Sequence, residues 1–346
     1  MIWSVEAWRG AAALLVVWAH WAVPLGFEPN YGRYAFVGVD LFFVLSGFVF
    51  APSLFGGVGP LLPYAVRRAT RMLPAYWVAL AVYVALAAAA GKPLLYLPQH
   101  VVLAHLQSRE MAFYYNPAFW SLPAELEYYA LLPVLAWVCA RWGPRGFAAM
   151  LAAAIALRLG LMAAADAQSQ NLAYLALHHL PGLILEFLLG AWAWHWGRTT
   201  NQSRRPLAAV LGATLAVATV WAYPVLEHWA GGHDWKNGQL GAVTGAAFAL
   251  WLAGTAHATP VWGWLRDVGW WAGRLSYGVY LLHMAWLPWL VVLRSAVGAW
   301  QALALGLVLL ILSAEGLHRL VEAPARAWGR QWAAAWIRQK TSVSPG

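Results

Sequence analysis

The sequence predicts an all-α integral membrane protein, a bundle of about ten transmembrane helices with both ends of the chain in the cytoplasm. Of its 346 residues, 62% are hydrophobic and only 10% are charged, whereas soluble domains carry about 25% charged residues. The 25 Trp residues agree with this, because indole rings concentrate at membrane–water interfaces. This composition excludes a soluble cytosolic enzyme, a disordered protein and a nucleic-acid-binding protein.

Ten stretches of the chain are long and apolar enough to span a bilayer, which takes about 20 mostly apolar residues. The first stretch is not a cleavable signal peptide, because it lacks a basic start and contains Arg9 and His20. The predicted spans lie near residues 4–25, 36–55, 72–91, 119–140, 146–165, 172–196, 206–226, 239–257, 270–293 and 299–320.

The distribution of Lys and Arg predicts the orientation of these spans. Sixteen of the 22 basic residues fall on one side of the predicted membrane, and cytoplasmic connections carry the excess of such residues. Both chain ends are therefore predicted to be cytoplasmic, with a transmembrane domain over residues 1–325 and a basic tail over 326–346. The six residues on the other side are Arg33, Lys92, Arg109, Arg158, Lys236 and Arg294.

Ionisable residues inside the predicted spans fall at two depths. Each is costly in a bilayer and is therefore a candidate functional group. The inner group is basic and consists of Arg9, Arg68 and Arg71, with Glu322 just beyond the last span. The outer group consists of His20, Asp40 and Glu125, with His178 or His179 as a further member.

The two groups predict different chemistry. Guanidinium groups bind phosphate through paired hydrogen bonds, so the inner group predicts a phosphate-bearing ligand from the cytoplasm. A histidine beside a carboxylate is an acid–base arrangement, so the outer group predicts proton transfer. Two structural interpretations stay open at this stage. The inner arginines obey the positive-inside rule, and single intramembrane histidines commonly bond helix to helix, which applies to His178, His179 and His283.

Six motifs then occur in a recognisable order. They are EAWRGAAALLVVWAH with Arg9 and His20, GVDLFFVLSGFVF at 38–50, RRATRMLPAYW at 67–77, WSLPAELEYYALLP at 120–133, LSYGVYLLH at 275–283, and Glu322 with Pro324. Over residues 5–325 the sequence resembles the integral-membrane acyltransferase 3 family, which O-acylates carbohydrates and other hydroxyl compounds. It resembles the type without the C-terminal extracytoplasmic SGNH domain of larger members.

The resemblance implies an O-acetyltransferase of the bacterial cytoplasmic membrane. Such an enzyme moves an acyl group, most commonly acetyl, from cytosolic acyl-CoA to a hydroxyl of a carbohydrate or cell-envelope glycan. The resemblance also implies that Arg9 and His20 are essential to transfer and that Arg68 and Arg71 lie on the acyl-CoA side. It gives no reason to expect a metal.

These implied roles give an expected mechanism. We expect His20 to act as a general base on the acceptor hydroxyl, or as a transient nucleophile, with Asp40 or Glu125 orienting it. Hydroxyl side chains are expected to line the passage or to hold the thioester carbonyl. They are Ser46, Tyr129, Ser276 and Tyr277.

Two other classes of protein remain as alternatives. A proton-coupled transporter or exporter would also place His, Asp and Glu within the membrane, and a non-catalytic scaffold would leave these residues without a function. The order of the motifs and the lack of an internal repeat favour the enzyme. The acceptor, the acyl group and the oligomeric state are left open by the sequence.

Overall fold

The computed structural model describes residues 2–27, 34–166, 168–229, 233–258 and 262–342, without the side chains of 224–229, 233–239 and 341–342. The fold of this part of the chain is helical. Arg33, which is predicted to lie on the outer side, falls outside the described residues. The same holds for the side chain of Lys236, also predicted to lie on that side.

The α-helices follow one another along the chain with short helical turns between some of them. A 3₁₀ turn precedes α2 (Ala35–Val37), α6 (Pro117–Trp120) and α9 (Gln202–Arg204), and a π turn (His318–Glu322) joins α12 to α13. The α-helices are α1 (Trp3–Trp21), α2 (Gly38–Gly56), α3 (Leu61–Ala89), α4 (Leu97–Val101), α5 (Arg109–Ala112), α6 (Ser121–Ala164), α7 (Leu172–Leu177), α8 (Leu180–Thr199), α9 (Arg205–Trp229), α10 (His233–Thr255), α11 (Gly263–Val297), α12 (Ala299–Leu317) and α13 (Ala323–Ser342).

Seven helical segments of the described chain are long and apolar enough to cross a membrane, which confirms the predicted class of helical, multi-pass membrane protein. They are Ala35–Gly56, Leu61–Ala89, Pro117–Ala164, Leu172–Thr199, Gln202–Tyr223, Gly263–Val297 and Ala299–Lys340.

The predicted count of ten spans differs from these seven for identifiable reasons. Spans 119–140 and 146–165 share α6, which leaves helical geometry at Gly143 with a φ of 54°. The first predicted span corresponds to α1, which carries charged residues, and the eighth to α10, whose apolar part is only Leu240–Thr255. The count of ten and the cytoplasmic chain ends therefore stay predictions.

Small residues let the central helices pack closely. A Cβ added to Gly47 of α2 would lie 1.8 Å from the carbonyl oxygen of Phe187 in α8. A Cβ added to Gly190 of α8 would lie 1.9 Å from the carbonyl oxygen of Val44. Only glycine allows backbones to approach this closely, and such contacts are typical of membrane helices. The pairing of α2 with α8 sets the position of one wall of the site described below.

The long connection between α3 and α6, residues 92–118, is folded into α4, α5 and the turn before α6. His100 and His105 stack within it, with their ring centroids 4.3 Å apart, and both are fully buried. Burial lowers the pKa of His105 to about 4, so its ring is neutral at pH 7. The neutral ring contacts the carbonyl oxygen of Phe119 through Nε2 at 3.1 Å and links this segment to the bundle.

Candidate active site

A cavity lies between α1, α2, α3, α6 and α11 and, with its opening, takes up about 840 Å³. Helical spacing brings its polar residues together, because side chains three or four positions apart share a helix face. Of the ten side chains singled out in the sequence, His20 and Asp40 lie outside its wall. The other eight line it: Arg9, Ser46, Arg68, Arg71, Glu125, Tyr129, Ser276 and Tyr277.

Arg68 is surrounded by aromatic rings in this cavity. Its guanidinium carbon lies 4.8 Å from the ring centroid of Phe50 and 5.9 Å from those of Tyr64 and Tyr129. Its Nε is buried without a hydrogen-bond partner among the described residues. Cation–π contacts hold the guanidinium in place, and its N–H groups are available to an anionic ligand.

Arg71 belongs to a network of ion pairs around one carboxylate. Its Nη1 donates to Oε1 of Glu322 at 2.9 Å, and Nη1 of Arg326 donates to the same oxygen at 3.2 Å. The other oxygen of Glu322 lies 3.0 Å from Nδ1 of His318. Because two arginines share a single carboxylate, positive charge remains in excess there.

A second cavity, about 1180 Å³, opens at the end of the bundle that carries these arginines, which we call the basic end. It shares Arg9 and Arg71 with the first cavity. The two cavities therefore meet at these two side chains. Further residues of its wall are three arginines, two acids and two tryptophans: Arg274, Arg326, Arg330, Glu6, Asp267, Trp270 and Trp271.

Glu125 lies on the cavity wall among the arginines. It accepts a short hydrogen bond from the hydroxyl of Tyr129, one helical turn away, and it is an electrostatic neighbour of Arg9. This differs from the predicted grouping with His20. Depth along a helix can be estimated from the sequence, but the direction in which Glu125 faces depends on how α6 packs.

Asp40 lies in a different place again, in the first turn of α2, where it is buried. Its electrostatic neighbours are Glu186 and Arg158, and Nη1 of Arg158 donates to Oε1 of Glu186 at 2.5 Å. A Cβ added to Gly241 of α10 would lie 2.6 Å from Oδ1 of Asp40. Asp40 thus belongs to a charged cluster that joins α2, α6, α8 and α10, and the structure does not place it against His20.

The polar contacts of His20 among the described residues are a backbone carbonyl and a second histidine. Its Nδ1 lies 2.8 Å from the carbonyl oxygen of Val16 and 3.3 Å from Nε2 of His283. The two ring centroids are 5.0 Å apart. His283 is fully buried, and its Nδ1 lies 2.8 Å from the carbonyl oxygen of Tyr280.

These contacts assign the tautomer of both rings. A carbonyl oxygen only accepts hydrogen bonds, so Nδ1 of each histidine carries the proton and donates to the backbone. Nε2 of His283 is then an acceptor that faces Nδ1 of His20. Nε2 of His20 keeps a lone pair, and it is the ring nitrogen that can serve as a base or nucleophile.

Tyr280 connects the cavity to the histidine pair. It lies on the cavity wall, and its ring centroid is 6.2 Å from that of His283. Its hydroxyl donates to the carbonyl oxygen of Ala118 at 2.5 Å and accepts from Ser121 at 2.6 Å. The cavity therefore extends from the arginines at the basic end to a point one aromatic ring away from the histidine pair.

The sequence carries a signal that places Tyr280 and His283 near the predicted site residues of α11. The segment LSYGVYLLH contains Ser276 and Tyr277, which are predicted to line the passage, and also Tyr280 and His283, to which the motif assigns no role. Positions 276, 280 and 283 follow the three- and four-residue steps of one helix face. That spacing predicts that they face the same side of α11.

The neighbouring residues His178 and His179 lie between α7 and α8, and their contacts join helices to one another. Nδ1 of His179 lies 2.5 Å from Oε1 of Glu127, and the other oxygen of Glu127 accepts from the backbone N–H of Leu180 at 2.7 Å. A carboxylate at this position stabilises the N-terminus of a helix. His178 lies beside Trp120, with their ring centroids 5.8 Å apart.

Comparison with known proteins agrees with the resemblance seen in the motifs. A family model, described as the acyltransferase domain of the acyltransferase 3 family, matches residues 2–314. Searches among curated proteins and among solved structures find no match. The matched range covers most of the chain and includes the helices α1, α2, α3, α6 and α11 that form the cavity. The chain therefore belongs to the acyltransferase 3 family and is an integral-membrane acyltransferase.

Proposed function

We propose that this acyltransferase transfers an acetyl group from cytosolic acetyl-CoA to a hydroxyl of a carbohydrate or cell-envelope glycan. The observation that carries the proposal is the arginine-lined path that runs from the basic end, past Arg9 and Arg71, to Tyr280 beside the histidine pair. A donor for this path needs an anionic head and a long, thin arm. Coenzyme A has both.

The two cavities suggest how the donor is held. The second cavity offers Arg274, Arg326 and Arg330 to the phosphates of the nucleotide, because guanidinium groups bind phosphate in a fork. The pantetheine arm extends through the first cavity past Arg68. Arg9 and His20 are eleven residues apart on α1, which is roughly 16 Å at the rise of an α-helix. An extended pantetheine arm has a comparable length.

The proposed reaction transfers the acyl group from the sulfur of CoA to the hydroxyl oxygen of the acceptor. Nε2 of His20 accepts the proton of the acceptor hydroxyl while that oxygen attacks the thioester carbonyl carbon. A C–O bond forms, the C–S bond breaks, and the CoA thiolate takes the proton back from His20. In a second path Nε2 of His20 takes the acyl group first, and both paths give the same products. Trapping of labelled protein after incubation with radiolabelled acetyl-CoA distinguishes the second path from the first.

The hydroxyl side chains of the wall are proposed to line the passage rather than to hold the thioester carbonyl. The hydroxyl of Tyr277 donates to the carbonyl oxygen of Met72 at 2.9 Å, and that of Ser276 donates to the carbonyl oxygen of Gly273 at 2.8 Å. Their protons are thus engaged with the backbone. Ser46 lines the cavity from α2.

The membrane and the acceptor are also part of the proposal. With the basic end in the cytoplasm, acyl-CoA enters from the cytosol and the acceptor arrives from the other side of a bacterial cytoplasmic membrane. Mass spectrometry of cell-envelope glycans from a deletion strain and its parent tests this. We expect an acyl mass increment in the parent that the deletion strain lacks, and identical glycans in the two strains would contradict the proposal.

A proton-coupled transporter is the second candidate, and the buried cluster of Asp40, Arg158 and Glu186 is the observation that favours it. Charged groups inside membrane helices are a feature of proton relays. Proton-coupled flux in proteoliposomes without acyl-CoA would support this candidate over the transferase.

A further inference from the structure

We propose that His283 positions His20 for catalysis, by accepting a hydrogen bond from Nδ1 of His20 through its own neutral Nε2. This inference rests on the proposed function above, because it assigns the partner of the proposed base. It also gives a role to His283, to which the motifs assign none, and it replaces Asp40 and Glu125 as the groups that orient His20.

The geometry fixes the direction of this hydrogen bond. Nδ1 of His283 donates to the carbonyl oxygen of Tyr280 at 2.8 Å, so Nε2 of His283 has a lone pair and no proton. That lone pair faces Nδ1 of His20 at 3.3 Å, while the same Nδ1 lies 2.8 Å from the carbonyl oxygen of Val16. Two acceptors therefore share one N–H, and both hold the proton on Nδ1 of His20.

The backbone around His283 is held from three sides. Nε1 of Trp21 on α1 donates to the carbonyl oxygen of His283 at 3.0 Å. Two residues earlier, the carbonyl oxygen of Leu281 accepts from the hydroxyl of Tyr83 at 2.9 Å and from Nδ2 of Asn116 at 3.1 Å. A ring anchored in this way keeps its lone pair aimed at His20, as a preorganised site requires.

A neutral acceptor suits this depth in the membrane. When Nε2 of His20 takes the proton of the acceptor hydroxyl, the ring becomes an imidazolium, whose Nδ1–H is a stronger donor. The lone pair of His283 then stabilises the charge without a buried carboxylate, which would be costly to desolvate. The two carboxylates predicted for this task have other partners, because Glu125 accepts from Tyr129 and Asp40 lies with Arg158 and Glu186.

The test compares two substitutions at position 283 in the purified full-length protein, reconstituted in proteoliposomes with acetyl-CoA and an acceptor glycan. His283→Phe keeps a ring and removes the acceptor, and His283→Gln places an amide oxygen near the position of Nε2. We expect His283→Phe to lower kcat about 10- to 100-fold, as for the loss of a hydrogen bond to a charged group, with KM for acetyl-CoA within about twofold. His283→Gln is expected to restore kcat to within about fivefold of the wild type.

Two outcomes would overturn the inference. One is a wild-type kcat in His283→Phe, and the other is an equal fall of kcat in both variants, which would indicate a packing role only. Trp289→Phe serves as the matched control, because Trp289 lies on the same helix as His283 and is exposed, and we expect it to keep the wild-type kcat. A wild-type protein without any transfer would instead contradict the proposed function, whatever the variants do.

A measurement on the wild-type fold keeps the test decisive if His283→Phe does not fold. Nitrogen-15 NMR of histidine-labelled protein reports the tautomer of each ring, and spectra of His20→Ala and His283→Gln identify the two signals by difference. The inference expects the Nδ1–H tautomer for His20 and for His283. An Nε2–H tautomer on either ring would overturn it.

Discussion

Arg68 is surrounded by the rings of Phe50, Tyr64 and Tyr129, whereas other arginines near the cavity pair with carboxylates. Arg71, for example, donates to Glu322 at 2.9 Å. A carboxylate partner neutralises much of the attraction of an arginine for phosphate, whereas an aromatic surrounding leaves it intact. Arg68 is therefore the arginine of the cavity wall whose positive charge is most available to the proposed donor.

Replacement of Arg68 by alanine tests this assignment. We expect Arg68→Ala to weaken binding of CoA about 10- to 100-fold, because one hydrogen-bonded contact to an anionic group is lost. Arg67→Ala is the matched control, because Arg67 is the preceding residue and lies in the wall of neither cavity. Titration calorimetry of the detergent-solubilised protein measures both. Equal affinities for Arg68→Ala and Arg67→Ala would argue against a donor site at Arg68.

The sequence predicts which residues line the site better than it predicts which of them contact one another. Charged and hydroxyl side chains inside apolar spans stand out by composition, and eight of the ten that were selected line one cavity. The contact of His20 with His283 joins residues 263 positions apart. The sequence fixes the approximate depth of each histidine, but not the rotation of α1 against α11, so the pairing could not be predicted.

The helices α1 and α11, together with the close crossing of α2 and α8, position the residues of the site. α1 carries Arg9 at the basic end and His20 further along, and α11 carries Tyr277 on the cavity wall and His283 beside His20. The register between these two helices therefore sets the distance from the proposed donor site to His20, the proposed base. The crossing of α2 with α8 holds the part of the cavity wall that α2 contributes.

This crossing can be tested with one added methyl group. Gly47→Ala places a Cβ against the carbonyl oxygen of Phe187, so we expect it to destabilise the fold by about 1–3 kcal/mol through overpacking. Gly56→Ala is the control on the same helix, because a Cβ there meets no atom within 4 Å. Thermal unfolding in detergent is expected to show a lower Tm for Gly47→Ala alone. An unchanged Tm would mean that α2 and α8 do not pack as closely as described.

The positions of the helices were predicted well where apolar runs end in charged or glycine-containing connections. The predicted span 36–55 corresponds to α2, and the predicted span 299–320 to α12 and the following π turn. The N-terminal extension of α3 was missed, because residues 61–71 carry three arginines and look like a connection. These residues form a helix, and two of its three arginines, Arg68 and Arg71, line the cavity, which hydropathy alone does not reveal.

The arginines of the bundle are distributed unevenly between its two ends, and most of those that line a cavity lie at the basic end. The basic end gathers the arginines of the second cavity, and at the opposite end Arg294 donates to the carbonyl oxygen of Pro24 at 2.9 Å. The positive-inside rule predicts that the basic end faces the cytoplasm. Acyl-CoA and the acceptor would then reach His20 from opposite sides of the membrane.

Cysteine labelling in intact spheroplasts tests this orientation. Cys139→Ala removes the single native cysteine, and two exposed positions are then replaced separately, as Arg266→Cys and Lys92→Cys. We expect a membrane-impermeant maleimide to label position 92 in intact cells and position 266 only after lysis. Labelling of position 266 in intact cells would reverse the predicted orientation.

In the proposed mechanism, Nε2 of His20 accepts the proton of the acceptor hydroxyl or takes the acyl group itself. The experiment that tests this role measures the transfer of radiolabelled acetyl from acetyl-CoA to an acceptor glycan by wild type and by His20→Ala. A positioned general base contributes about 10²- to 10⁴-fold in rate. We therefore predict that His20→Ala lowers transfer by at least about 10²-fold while it binds CoA with wild-type affinity and keeps the wild-type Tm. Transfer at the wild-type rate by a folded His20→Ala protein would contradict the account.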